Sequence, residues 1–250
     1  MAVNEFLVPI MDATLKANRD DDKPRDYLGA SIAGENCERK LAFGWHGRKP
    51  NFAGRTYRIF AIGHACEDLA IEWMRLAGFK MKVTGADGRQ LGFSDAGGEF
   101  KGHMDGWIVD GPPVPGLAYP ALWECKSMKD SKFKEFKKKG LKRFSDTYYG
   151  QAQIYMAHSG ATNCLYISIN KDTSDLWFEI IDYSTPDAQS VSDRAVRVIQ
   201  TKDPWEAPRV ASQPEDFRCK WCDFKEECWA GKPASSNKTE QKTVKPKWLQ

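Results

Sequence analysis

The sequence predicts an α/β fold in which a mixed central sheet is flanked by helices. Three observations indicate it. Residues 55–78 place apolar side chains at helical spacing and end at Gly78, a residue type that favours helix C-termini. Residues 121–128 have the pattern of a strand, and residues 164–181 alternate between apolar and polar side chains around a polar turn. Strands interspersed with long helices are typical of sheets whose faces are covered by helices.

The individual elements follow from their spacing and their end signals. Asp87 and Gly88 favour a turn between two short strands. Ser184, followed by Pro186, favours the start of the last long helix. The predicted order is helix 3–18, a turn and short helix 31–46, helix 55–78, strands 79–83, 90–93, 99–109 and 121–128, a basic run 129–143, helix 146–158, strands 164–169 and 176–181, and helix 184–201.

Length and composition predict one large folded domain. A chain of 250 residues can bury a sizeable core, and we expect a single domain over residues 1–230. A hydrophobic content of 41% and a charged content of 28% are ordinary for globular proteins. Residues 231–250 are polar, rich in lysine and without periodicity. We therefore expect a disordered basic tail there.

Charge and hydropathy exclude some classes of partner. No apolar run is long enough to cross a bilayer, and the N-terminus lacks the basic-then-apolar order of a signal peptide. We therefore expect a cytoplasmic protein with no membrane partner. The net charge is only +3. Attraction to nucleic acid then has to come from local clusters of basic residues and not from the overall field.

Glu124 and Lys126, on the predicted strand 121–128, are candidates for catalysis. Side chains two residues apart in a strand point to the same face, so this carboxylate and this ammonium group would share one site. The neighbouring predicted strand, 99–109, could bring the carboxylate of Asp105 alongside Glu124. On the Glu-x-Lys spacing alone, a surface ion pair on an edge strand is the commoner interpretation, and the surrounding residues are what favour a site.

Two carboxylates and a lysine suit metal-assisted hydrolysis of a phosphodiester. Carboxylate oxygens are ligands that Mg²⁺ and Mn²⁺ prefer, and Mg²⁺ keeps positions for water and phosphate oxygens. A bound metal makes water easier to deprotonate, and Lys126 could position that water or neutralise charge on the phosphorane. The sequence therefore predicts a divalent-metal site at Asp105 and Glu124.

Two predicted helices contribute further candidates. His64 and Glu67 are three residues apart and share one helix face. A single histidine on a helix is more often packed or exposed than a ligand, but its place after Gly63 and ahead of the candidate strands makes His64 a candidate third metal ligand. Gln151 and Tyr155 are four residues apart and could both point at the site.

The basic run 129–143 has two interpretations. Runs of charge are usually solvated helix faces. Phe133 and Phe136, interleaved with lysines, instead favour an element that grips phosphates or stacks on a nucleic-acid strand.

The seven cysteines predict a metal site and not a disulfide framework, because the chain shows no export signal. Cys219, Cys222 and Cys228 form a C-x2-C-x5-C cluster that needs one more ligand for a four-coordinate site. Cys37 is the candidate, since it lies in a turn before a predicted helix whose N-terminus would favour its thiolate. The remaining three are expected to be buried thiols: Cys66, Cys125 and Cys164.

The order of these residues resembles the RecB-like branch of the PD-(D/E)XK nuclease superfamily. The matching motifs are His64, Gly-His-Met-Asp-Gly at residues 102–106, Glu-Cys-Lys at 124–126, and Gln151 with Tyr155. Cys37 before this core and the clustered cysteines after it resemble the subgroup whose nuclease domain is held by a [4Fe-4S] cluster. Relatives of this kind include nucleases of CRISPR adaptation, AddB-type helicase-nucleases and phage exonucleases. The resemblance covers residues from about 31 to 229.

The resemblance implies a restriction-endonuclease-like core with a cysteine-ligated clasp between its N-terminal and C-terminal segments. It implies that Lys126 is the catalytic lysine, and that Gln151 and Tyr155 contact DNA or support the metal site. The implied ligands of Mg²⁺ or Mn²⁺ are His64, Asp105, Glu124 and the backbone carbonyl of Cys125. The implied cluster ligands are Cys37, Cys219, Cys222 and Cys228. Structural Zn²⁺ is the alternative occupant, although a ligand so distant in sequence from the other three fits an iron–sulfur cluster better.

The function implied is that of a divalent-metal-dependent DNA exonuclease acting on ends or single strands in phage recombination, repair or CRISPR-linked DNA processing. The sequence lacks the Gly-x-x-x-x-Gly-Lys-[Ser/Thr] phosphate loop, which argues against an ATP-driven motor. Two alternatives stay open: a non-hydrolytic DNA-binding iron–sulfur module that acts as a partner or regulator, and an endonuclease on the same fold. A recombination or CRISPR-associated partner and an oligomeric assembly are both compatible with the sequence.

Overall fold

The computed structural model describes residues 2–20, 25–50 and 52–232. Its helices are α1 (Asn4–Asp20), α2 (Glu38–Trp45), α3 (Gly54–Leu76), α4 (Asp130–Lys139), α5 (Leu141–Phe144), α6 (Asp146–Ser159), α7 (Thr185–Gln200) and α8 (Lys225–Ala230). Its strands are β1 (Leu28–Gly29), β2 (Lys80–Lys82), β3 (Gly92–Asp95), β4 (Phe100–His103), β5 (Gly106–Asp110), β6 (Ala121–Met128), β7 (Asn163–Asn170) and β8 (Leu176–Asp182). The tail predicted to be disordered lies outside the described residues, apart from residues 231–232.

The strands form two sheets. Five form a mixed sheet in the order β2-β5-β6-β7-β8, in which β6 and β7 run parallel and the other neighbouring pairs run antiparallel. The other three form a smaller sheet in the order β1-β4-β3. Helices α3 and α6 both pack on β6, so the predicted α/β fold with a mixed sheet and flanking helices is confirmed. Among the described residues, none of the helices combines the length and the apolar content that crossing a bilayer requires.

Strand β6 lies at the centre of the larger sheet and contributes to two hydrophobic cores. Leu122 and Met128 belong to the core that α6 and α7 cover, whereas Trp123 belongs to the core that α3 covers. Because side chains alternate along a strand, Glu124 and Lys126 lie in the same row as Leu122 and Met128. Two charged residues therefore occupy a row that is otherwise apolar, a position that requires polar partners.

The prediction of one strand over residues 99–109 is wrong. The run divides into β4, which pairs with β1 and β3, and β5, which pairs with β2 and β6. The corner between them is fixed by Met104, whose N–H donates to the carbonyl of Leu91 at 2.8 Å and whose carbonyl accepts from Gln90 Nε2 at 3.2 Å. Alternation continues through the corner, so periodicity could not show the change of sheet. Asp105 follows directly after this corner.

Candidate active site

Strands β5 and β6 separate at Asp105. Their backbone pairing ends with Gly106 opposite Trp123. Beyond that pair, Asp105 Oδ2 accepts a hydrogen bond of 3.0 Å from the backbone N–H of Cys125. The carboxylate thus satisfies a donor that the strand pairing leaves free, and this contact fixes Asp105 beside β6.

The Lys126 ammonium lies between two carboxylates. Its Nζ donates to Asp105 Oδ2 at 3.1 Å, to Glu124 Oε2 at 3.2 Å and to the backbone carbonyl of Cys125 at 3.0 Å. Burial acts to lower the pKa of Lys126, but the two carboxylates together raise it well above its usual value. Lys126 is therefore charged and neutralises part of the negative charge of the site.

Glu124 is the most enclosed member of this group. Its side chain is 1% exposed, against 11% for Asp105 and 22% for Lys126. Besides Lys126, its Oε2 accepts a hydrogen bond of 2.8 Å from Gln151 Nε2, while its Oε1 is buried with no hydrogen-bond partner among the described residues. Burial, followed by the charge of Asp105, raises the pKa of Glu124 well above its usual value. A buried carboxylate oxygen without a partner is costly unless a cation or a donor meets it.

Helix α6 supports the site from one side. Gln151 is buried and holds Glu124 as described. Tyr155 is 1% exposed, and a Cβ on Gly102 would lie 2.6 Å from its ring, so β4 has room for this ring only because residue 102 is glycine. Burial and then the charges of Glu124 and Asp105 raise the pKa of Tyr155. A ring so enclosed suits the second of its two predicted roles, support of the site, and not a direct contact with DNA.

Helix α3 brings a third carboxylate towards the site. Burial, and next the charge of Asp105, raise the pKa of Glu67 to about 7, while Lys126 acts to lower it. The sequence indicated Glu67 only through its spacing of three from His64. His64 itself is exposed, and its imidazole makes no hydrogen bond or ion pair with another described residue. Its role as a metal ligand therefore stays a prediction.

Strand β7 contributes two polar residues that the sequence did not reveal. Tyr166 pairs with Glu124 and Ser168 with Lys126 in the parallel register of β6 and β7. The Tyr166 hydroxyl and the Ser168 hydroxyl are both buried with no hydrogen-bond partner among the described residues. The register of two parallel strands cannot be read from a single sequence, so no signal could have placed these residues beside the site.

The donor atoms at this site are of the type that binds a divalent cation. Asp105, Glu124 and Glu67 supply carboxylate oxygens, which Mg²⁺ and Mn²⁺ prefer, and Glu124 Oε1 lacks any other partner among the described residues. Within the part of the chain that the structure describes, no three His, Cys, Asp or Glu side chains stand in metal-binding geometry. The Lys126 ammonium occupies the space between the carboxylates, and the Cys125 carbonyl, a predicted metal ligand, accepts from it.

The four cysteines predicted to bind a cluster line one small cavity. Cys37 precedes α2, and Cys219, Cys222 and Cys228 come from the C-terminal segment, so the cavity lies between the two segments predicted to be joined. Phe43, Phe224 and Trp229 supply its apolar wall, and three cationic side chains complete it: Lys40, Arg209 and Lys225. Four thiols with neighbouring cations fit an anionic thiolate-bound cluster in kind.

Protein contacts already join these two segments. Arg39 donates to the carbonyls of Ala207 at 2.8 Å and Trp205 at 2.7 Å. The ring of Phe43 packs edge-on against Trp205 and Phe224, with ring centroids 5.0 and 5.6 Å apart. Protein contacts therefore already hold the two segments beside the cavity.

The remaining three cysteines differ in burial. Cys125 and Cys164 are buried as predicted, but Cys66 is only half-buried because it lies near the surface of α3.

Phe133 and Phe136 of the basic run are 5% and 0% exposed and pack in the core. The prediction that they stack on a nucleic-acid strand is therefore wrong, because the hydrophobic effect places this face of α4 inward.

Comparison with solved structures identifies the fold. No family model matches the sequence, and a search of curated proteins finds no match. The crystal structure of SSO0001 is similar with a TM-score of 0.54 at 15% identity, over 92% of this chain and 99% of that one. An alkaline exonuclease, LHK-Exo from Laribacter hongkongensis, is similar with a TM-score of 0.50 at 14% identity, over 76% of this chain and 90% of that one. At these identities the likeness shows the fold alone, a mixed α/β core like that of the exonuclease.

Proposed function

We propose that the protein is a divalent-metal-dependent DNA exonuclease. The observation that carries the proposal is the contact of the Lys126 ammonium with both the Asp105 and the Glu124 carboxylates, at the point where β5 and β6 separate. The buried Glu124 Oε1 without a partner among the described residues adds to it. The fold that the chain shares with an alkaline exonuclease supports a nuclease.

The proposed ligands of Mg²⁺ or Mn²⁺ are Asp105, Glu124, the Cys125 carbonyl and His64, with Glu67 close by. The metal would supply a water that is easier to deprotonate and a positive charge near the scissile phosphate. Lys126 would hold the Asp105 and Glu124 carboxylates in place and offer its ammonium to the charge that develops on the phosphate oxygens. Gln151 would keep Glu124 oriented, and Tyr155 would close the site on the side of β4.

We also propose that Cys37, Cys219, Cys222 and Cys228 hold a [4Fe-4S] cluster, with Zn²⁺ as the alternative. The shared cavity of the four thiols supports this proposal. It lies between the N-terminal and C-terminal segments, away from the carboxylates, so the metal would act on stability and not on the reaction.

The experiment that tests the function is cleavage of end-labelled linear DNA and covalently closed circular DNA, each single-stranded and double-stranded. Anaerobically purified protein is incubated with Mn²⁺, Mg²⁺ or EDTA, beside Lys126→Ala. Metal-dependent loss of the linear substrates alone, absent in the variant, is expected. Cutting of circles would make the protein an endonuclease. DNA binding without cleavage under any condition would favour the non-hydrolytic binding module.

Gln151→Leu is expected to lower the cleavage rate by about 10–100-fold, because loss of a residue that orients a metal ligand has effects of this size. Glu124 Oε2 would keep only its contact with Lys126. Gln153→Leu is the matched control on the same helix, since Gln153 is buried and bonds to the backbone of Asp182 and Ser184, away from the carboxylates. The control is expected to lose stability and keep its rate per folded molecule. Equal rates for wild type and Gln151→Leu would remove Gln151 from the site.

A further inference from the structure

A groove of about 800 Å³ lies beside the candidate active site. It begins at Ser127, the residue after Lys126, and continues along the end of β6. Strand β1, helix α2, residues 47–50 with Phe52, and the start of α6 form its other walls. Its volume is in the upper part of the range for ligand sites, roughly 300–1,000 Å³.

The groove carries more basic than acidic side chains. Six basic side chains line it, against two acidic ones, Glu35 and Asp223, whereas the whole chain carries a net charge of only +3. Some of this charge is neutralised, since Lys40 pairs with Glu35 at 2.7 Å. Neither Arg25 nor Lys129 pairs with a carboxylate of any described residue. The six are Arg25, Lys40, Arg48, Lys49, Lys129 and Lys132.

Aromatic rings alternate with these cations. Six aromatic side chains line the groove. Phe224 is buried, and the other five are half-buried: Tyr27, Trp45, Phe52, Phe144 and Tyr148. The Arg25 guanidinium lies 5.7 Å from the ring centroid of Tyr27, and Lys132 Nζ lies 5.8 Å from that of Phe144. A ring that is held by its packing and still partly exposed is a platform for a planar base, and a cation beside it can meet the adjoining phosphate.

We propose that this groove binds a single-stranded segment of the DNA substrate and leads it to the site at Glu124 and Lys126; this rests on the proposed nuclease function. Single strands present both unstacked bases and phosphates, which match the rings and the cations of the groove. The bases of a duplex are paired and stacked inside, so a duplex would engage the cations and leave the rings unused. The groove therefore selects single strands over duplex.

The test measures binding of a labelled oligonucleotide, either single-stranded or duplex, by fluorescence anisotropy. EDTA is present so that the DNA is not cleaved. The protein carries Glu124→Gln in all cases. Single strands are expected to bind at least tenfold more tightly than duplex. On this background, Tyr27→Leu is expected to weaken single-strand binding about tenfold through lost stacking. The double variant Arg25→Ala/Lys129→Ala is expected to weaken single-strand binding. It is also expected to lower the slope of log affinity against log salt concentration by about two, because two phosphate contacts are lost.

Lys138→Ala is the matched control, because Lys138 is an exposed lysine of α4 that does not line the groove. It is expected to bind single strands within about twofold of the parent. Equal affinity for both DNA forms, or groove variants that bind like Lys138→Ala, would overturn the proposal. If wild type binds DNA through the groove but cleaves none, the proposed nuclease function is wrong and the groove assignment stands. If wild type cleaves DNA and the groove variants bind it as the parent does, the groove assignment is wrong and the nuclease function stands.

Discussion

In metal-free buffer, Lys126→Met is expected to lower the free energy of unfolding by about 3–5 kcal/mol, the range for breaking a buried ion pair. The Lys126 ammonium is the partner that Asp105 and Glu124 share. Its removal leaves two neighbouring carboxylates with little access to water, one of them 11% and the other 1% exposed. Part of their repulsion is relieved when Glu124 takes up a proton, because burial and Asp105 already raise its pKa and Lys126 no longer lowers it. Urea unfolding followed by circular dichroism measures the change.

Saturating Mg²⁺ or Mn²⁺ is expected to restore part of this stability, because a cation that binds the folded state neutralises the same two carboxylates. Cleavage is expected to stay undetectable, since the proposed catalytic ammonium is gone. Glu124→Gln is the matched variant, because it keeps the shape of the side chain and removes one negative charge. Without metal, it is expected to be at least as stable as the wild type. It is also expected to lose cleavage. If Lys126→Met unfolds like wild type in EDTA, Lys126 does not hold the carboxylates together.

The parts of the fold that depend on local pattern could be predicted from the sequence. Helix α3 ends near Gly78 as its spacing indicates, and Ser184 caps α7 by accepting from the backbone N–H of Asp187. The pairing of Glu124 with Lys126 follows from the two-residue repeat of a strand, and the structure places them 3.2 Å apart. These features depend on neighbours in sequence, which a single chain does reveal.

The parts that depend on long-range register could not be predicted. Nothing in the alternation of residues 99–109 marks the corner at Met104, because both halves alternate and only their partners differ. Tyr166 and Ser168 come beside the site through the parallel register of β6 and β7. The groove combines Tyr27 and Lys129, which are far apart in sequence. The phenylalanines of the basic run suggested stacking from sequence, but a helix that packs on a sheet buries its apolar stripe first.

Cys37→Ser is expected to lower the melting temperature, although serine is the better residue for this position taken alone. Cys37 is the N-cap of α2, has an extended backbone and makes no capping hydrogen bond through its side chain. Serine at an N-cap commonly stabilises a helix by about 1 kcal/mol. If Cys37 helps to hold a cluster, its replacement removes part of a metal-binding free energy that contributes directly to folding and is much larger. The sign of the change therefore separates a capping role from a ligand role.

The measurement uses anaerobically purified wild type, Cys37→Ser and Cys66→Ser, with the iron and zinc content determined beside each melting curve. Cys66 is half-buried on α3 and does not line the four-thiol cavity, so its variant is expected to keep both the metal and the melting temperature. Iron with visible absorption in the wild type, lost in Cys37→Ser together with stability, is the expected result. Zinc in its place would assign the alternative occupant. A Cys37→Ser protein that melts higher than wild type with unchanged metal content would remove Cys37 from the ligand set, because the substitution would then act through the helix cap alone.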